Sequence, residues 1–284
     1  MQFSIRYMTE YHYDAPVTDN LNALRVRPAT TSNQRCDEFH TLILPEARVS
    51  RYLDYFGTEV LEFGVPTPHQ ELTIDVRARV ATSLPQEPPR GSWDALAEER
   101  YTDAAGEFAL PWQDHPALEG LDDLERQIRG ATPRETVERL CTIVPEQFEY
   151  RPGATYVGST VSDALRARAG VCQDFAHLSL VLLRRLGIAA RYISGYLWAA
   201  PAESDQESME VETHAWIEAL LPGEEGQEPI WVSADPTNGN LADESHVKIG
   251  HGRFYADVAP IKGLYYGEAA SRLLVAVTMS RLDV

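Results

Sequence analysis

The stretch RARAGVCQDFAHLSLVLLRRLGIAARYISGYL, Arg166 to Leu197, decides how this chain of 284 residues is read. From Cys172 the segment is apolar nearly all round a helix, the property of a helix buried in the middle of a domain. It is expected to stop at Arg184, Arg185 and Gly187, basic residues in a last turn followed by glycine. Gly170 permits a sharp entry, and ARYISGYLW beyond Gly187 reads as a strand. Cys172 therefore stands in the first turn of a buried helix. Unpaired amide hydrogens and the positive end of the helix dipole favour a thiolate there, and the same amides can bind a developing oxyanion. The competing reading is a small buried filler, so the partners decide.

His177 is close in sequence but poorly aimed. Five positions along a helix turn the chain by about 140°, which sends Cys172 and His177 to different sides. Asp174 and His177, three apart, share a face and could form half a metal site, yet no CxxC, HExxH or second His pair completes it. A helix-start acid and a packed, hydrogen-bonded His is the simpler reading. His214 is better placed. It opens the strand THAWIEALL, the next strand IWVSADPTNG carries Asp235, and LPGEEGQEP between them is a hairpin loop. A hairpin centred between Glu224 and Glu225 sets Asp235 directly opposite His214, where its carboxylate can orient the imidazole; a bulge would shift that register. Cys on a helix N-terminus with His and Asp on adjacent strands is an acyl-transfer arrangement.

GVCQDFAH, THAWIEALLPG and WVSADPTNG closely resemble the bacterial transglutaminase-like proteins. HVKIGHGRFYADVAPIKGLYYG, His246 to Gly267, is similar to that family's C-terminal segment, and residues 1 to about 80, with DYFGTEVLEF, to its N-terminal region. The resemblance implies a papain-like core and a Cys172, His214, Asp235 triad acting on amide bonds, as a peptide or amide hydrolase or a protein-glutamine transamidase. It also implies an oxyanion donor upstream of the Cys, for which FEYRPGATYVGST offers Tyr150 and Tyr156, Tyr150 being preferred. Either tyrosine could instead be a packed aromatic. Trp216, two past His214 on the same strand face, either walls an acyl channel or fills core, and core is the simpler reading. No cofactor or metal is implied. A noncatalytic binding module using the same cleft is the alternative.

Outward from this segment the chain reads as α+β. Residues 1–83 form a β-rich, sandwich-like unit: ELTIDVRARV puts Leu72, Ile74, Val76, Ala78 and Val80 on one face, and FHTLILP and TEVLEFGVP are further strands. SLPQEPPRGS, Ser83 to Ser92, reads as the connection to a core of residues 84–284. In that core TPRETVERLCTIVPEQF starts with Thr132 as cap, Pro133 in the first turn and Glu135 at the capping-box position, and it makes Cys141 a core residue. The strands IWVSAD and SRLLVAVTMS follow in a mostly antiparallel sheet. A net charge of −18, with lysine only at Lys248 and Lys262, leaves no basic stripe for nucleic acid. Three scattered cysteines, no leader and no span of roughly 20 apolar residues point to a soluble cytoplasmic protein. The expected partners are a peptide or protein amide, with water or a primary amine as acceptor. Whether water or an amine is the acceptor is expected to depend on loops such as AAPAESDQESMEVE, Ala199 to Glu212, whose acidity is most simply read as a solvated surface.

Overall fold

The computed structural model describes residues 1–111, 120–199 and 208–282. Its strands are β1 (Gln2–Leu24), β2 (Gln34–Leu44), β3 (Val49–Leu53), β4 (Glu59–Val65), β5 (His69–Thr82), β6 (Glu149–Tyr150), β7 (Ala169–Gly170) and β8 (Ala190–Leu197). They continue as β9 (Ser208–Val211), β10 (Thr213–Leu221), β11 (Ile230–Asp235), β12 (Asn240–Leu241), β13 (His246–Gly252), β14 (Ile261–Tyr266) and β15 (Ser271–Arg281). The helices are α1 (Glu99–Ala105), α2 (Leu121–Ile128), α3 (Pro133–Gln147), α4 (Val161–Ala167), α5 (Cys172–Arg185) and α6 (Tyr255–Val258).

The fold is α+β, and the N-terminal layer is one antiparallel sheet folded on itself. The first half of β1 pairs with β5 and β15, while its second half pairs with β4 and β14. The ladder shifts register between His12 and Val17, and beyond that point the strand enters the other half-sheet. The predicted stripe Leu72, Ile74, Val76, Ala78 and Val80 is buried with Phe3, Ile5, Leu61 and Phe63 between the halves. Alternation alone identified that face, because successive strand side chains point to opposite sides.

SRLLVAVTMS, expected within the sheet of the 84–284 core, runs antiparallel to β1 from Ser271 opposite Tyr13 to Arg281 opposite Phe3. The chain thus returns at its end to the sheet with which it began. A single ladder has no local signature of its partner: alternation says that a strand has a buried face and not which sheet completes it.

The second layer is the sheet β12-β11-β10-β8-β13, with α5 packed against β10 and β8. Thr132 caps α3, its Oγ1 accepting the Glu135 N–H at 3.1 Å, while Glu135 reaches the Ala131 N–H at 2.7 Å. Cys141 is buried in this core. α5 ends as expected at Gly187, whose φ of 80° is the left-handed geometry of a glycine stop. The buried Arg184 donates to the Ala190 and Arg253 carbonyls at 2.7 and 2.8 Å, tying the helix end to β8. The layers are joined by the Gln34 amide, which accepts from the Lys248 N–H at 2.8 Å and donates to the Lys248 carbonyl at 2.7 Å. Ser83 to Ser92 has no regular structure. No described helix is long and apolar enough to cross a membrane.

Candidate active site

Cys172 is the first helical residue of α5, and the Asp174 carboxylate closes the helix start by accepting the Val171 N–H at 2.8 Å and the Thr155 hydroxyl at 2.6 Å. Gly170 is needed there, because a Cβ would stand 2.7 Å from the Asp174 side chain. His177 lies elsewhere: its Nε2 accepts the Tyr255 N–H at 3.2 Å and its ring packs on Tyr192. The Asp174 and His177 pair is therefore divided between a helix cap and a packing contact.

The Cys172 thiol lines one cleft with His214 and helps raise its pKa, and the His214 Nε2 stands 2.7 Å from the Asp235 Oδ2. The hairpin register differs from the expected one. Ile217 pairs with Ala234 and Leu221 with Ile230, which centres the turn between Glu225 and Gly226 and places Asp235 opposite Trp216. Gly226 supplies the positive φ, 82°, that this longer turn requires. Asp235 is consequently a diagonal neighbour of His214 on the same face, still within reach of a carboxylate.

Asp235 is fully buried and held on every side. Its Oδ1 accepts the backbone N–H groups of Thr237 (2.9 Å) and Asn238 (3.2 Å), an Asx turn, and its Oδ2 accepts the Asn238 amide at 2.7 Å. The Oδ2 also lies 3.1 Å from the Nε2 of His246. Burial alone would raise the Asp235 pKa, but the donors from His214, His246 and Asn238 outweigh it and hold the group far below the usual carboxylate range. An ionised Oδ2 cannot donate, so both Nε2 atoms carry the protons, and Nδ1 of His214 is left to face Cys172. Burial likewise pulls the His214 pKa down, yet Asp235 and Cys172 carry it from 6.5 to about 9. His214, Asp235 and His246 are also the one group among the described residues whose spacing could hold a metal ion.

A cleft of about 260 Å³ opens on Cys172 and His214 and is walled by Tyr150, Val157, Tyr192, Tyr255 and Glu212. Tyr150 is set there by the parallel pairing of β6 with β7, Tyr150 opposite Gly170. Its hydroxyl pKa is raised by burial and then by the proximity of Cys172 and Glu212. Tyr156 is 76% exposed and stands outside the cleft. Trp216 does not wall the cleft: it is buried, 5.9 Å from the His214 ring and 5.3 Å from that of His246. Its indole lies over Gly195, where any Cβ would meet it at 2.4 Å. Of Ala199 to Glu212, residues 200–207 lie outside the described residues; Glu212 is exposed at the cleft. Sequence reading missed His246, because its approach to Asp235 depends on curling of the sheet. Asn238 was legible in principle from the D-x-x-N turn pattern.

Residues 3–81 match the bacterial transglutaminase-like N-terminal region and residues 122–236 the transglutaminase-like superfamily. An uncharacterized protein of Mycobacterium leprae, ML0607, is 36% identical over 97% of this chain and 97% of its own length. The protein-glutamine gamma-glutamyltransferase of Pseudomonas aeruginosa is 30% identical over 45% of this chain and 19% of its own length. A solved structure named as a "putative cysteine protease" from Cytophaga hutchinsonii superposes with a TM-score of 0.73 at 22% identity, covering 100% of this chain and 92% of that one. The chain belongs to the bacterial transglutaminase-like family, a family of cysteine-dependent acyl transfer.

Proposed function

We propose that the protein is a cysteine-dependent acyl-transfer enzyme acting on carboxamides of peptides or proteins. The observation that carries this reading is the single imidazole, His214, sharing a cleft with the Cys172 thiol and held by Asp235 Oδ2 at 2.7 Å. In the reaction His214 takes the thiol proton and the sulfur attacks the carbonyl carbon. The S–C bond forms, the C–N bond breaks, and His214 returns the proton to the departing amine. The thioester is then opened by water or by a primary amine, whose proton passes to His214 as Cys172 leaves. Asp235 keeps the proton on Nε2 so that Nδ1 can serve the thiol throughout. In this reading Tyr150, which lines the cleft, donates to the oxyanion. Water is the preferred acceptor, giving amide hydrolysis.

The test is incubation with glutamine-containing peptides with and without a primary amine, followed by mass spectrometry, together with labelling by an electrophilic glutamine analogue. Peptide cleavage or conversion of glutamine to glutamate indicates hydrolysis, and mass gained from the amine indicates transamidation. An adduct that is absent from Cys172, or undiminished in His214→Ala, would count against the enzyme and leave the cleft as a binding module.

A further inference from the structure

Asp235 serves two imidazoles, and the second has no part in the scheme above. His246 opens β13 with its side chain 4% exposed, and its Nε2 points to the same Oδ2 that receives His214, 3.1 Å against 2.7 Å. Its other nitrogen faces the backbone N–H of Asp243 at 3.2 Å, with the Asp243 carboxylate and the Ser245 hydroxyl each at 3.3 Å. The ionised Asp235 Oδ2 can only accept, so the Nε2 of His246 carries the proton aimed at it, whichever of its partners Nδ1 takes. Both rings contact one indole, Trp216, and are themselves 6.3 Å apart. Gly195 on β8, paired with His214 on one side and with Lys248 on the other, leaves the space that the indole fills.

A buried His could be a packed ring and nothing more, but this one directs an N–H to the very oxygen that orients another imidazole. We propose that His246 is a positioning residue: its Nε2–H, shared with His214 on Asp235 Oδ2, fixes the carboxylate oxygen in the plane that holds the His214 Nδ1 toward Cys172. The proposal rests on the Cys172, His214, Asp235 reading. Without this donor the Asp235 carboxylate keeps its Asx turn through Oδ1, while Oδ2 loses one of three anchors and is free to rotate away from His214. Misplacement of a catalytic group by an ångström costs on the order of 100-fold in rate.

The test compares His246→Gln with His246→Asn in the full chain. The Gln amide N–H stands where Nε2 stands and can still reach Asp235; the Asn amide stands where Nδ1 stands and cannot. Both are polar and of similar burial, and their melting temperatures check folding. Two measurements are read. One is the rate of Cys172 alkylation by iodoacetamide at neutral pH, with Cys36 and Cys141 resolved by peptide mass spectrometry. The other is the imidazole N–H spectrum of protein labelled with ¹⁵N-histidine. Wild type should show protected Nε2–H signals for His214 and His246. His246→Gln should keep the His214 signal and most of the alkylation rate. His246→Asn should shift or broaden that signal and slow alkylation by about 10-fold to 100-fold. An Asn variant that matches the Gln variant in both measurements overturns the role of His246 alone. A rate in His214→Ala equal to wild type removes the triad reading, and this proposal with it.

Discussion

Glu218 shows how much of the buried sheet depends on single side chains. It is buried on β10 with Arg191 at 2.6 Å, Lys248 at 2.8 Å and Ser233 at 3.2 Å. Burial penalises its charge, but the two cations outweigh that and lower its pKa to about 2. Replacing a carboxylate that serves two buried cations leaves their charge uncompensated, so Glu218→Gln should lose about 3–5 kcal/mol of stability in urea denaturation. The same residue logic was legible for Cys172, His214 and Asp235 because each sits at a place with a chemical signature: a helix start, a strand opening, a strand end before a turn. His246 has no such mark. Tyr150 was separable from Tyr156 only weakly in the sequence, since both lie in one irregular stretch; the β6–β7 pairing is what sets Tyr150 at the cleft and leaves Tyr156 outside it.

Among the elements, β8 is the hinge between site and scaffold. It pairs with β10 on one side and β13 on the other, and its Gly195 is where the Trp216 indole crosses. A Cβ at this position would meet the Val247 carbonyl at 2.2 Å and the indole at 2.4 Å. One of these is backbone and cannot move aside cheaply, so Gly195→Ala should cost about 1–3 kcal/mol in thermal or denaturant unfolding. It should also displace Trp216 from His214, seen as slower Cys172 alkylation; a variant with wild-type stability would contradict the close approach. Helices α3 and α5 were readable to within a residue because caps and a glycine stop are local. The β10–β11 turn was readable only to within one residue, since the loop from Pro222 to Pro229 admits more than one centre and register is settled by side-chain packing across the pair.

For the molecule as a whole, buried charges set the pH range of stability. His251, pulled down from 6.5 to about 3 by burial and by Lys248 and Arg191, stabilises the fold above about pH 6.5 and loses that contribution as pH falls. Glu218 adds a second loss between about 4.5 and about 2. His214, raised to about 9, contributes fully below about 6.5 and progressively less as pH rises through about 9. Lys248, lowered to about 8 by burial, offsets part of that alkaline loss at higher pH. The melting temperature should therefore peak near about pH 6.5 and fall on both sides, and a profile flat from pH 4 to 9 would exclude this balance. By itself the sequence determined the class of fold, the buried helix that presents Cys172, and the order of thiol, imidazole and carboxylate, because helix periodicity, strand alternation and caps are properties of neighbouring residues. Only the tertiary structure decided that β14 and β15 close onto β1, that Asp235 lies diagonal to His214, and that His246 shares its carboxylate. Those are contacts between distant segments, fixed by how a sheet curls and which faces meet, and no local pattern encodes a partner.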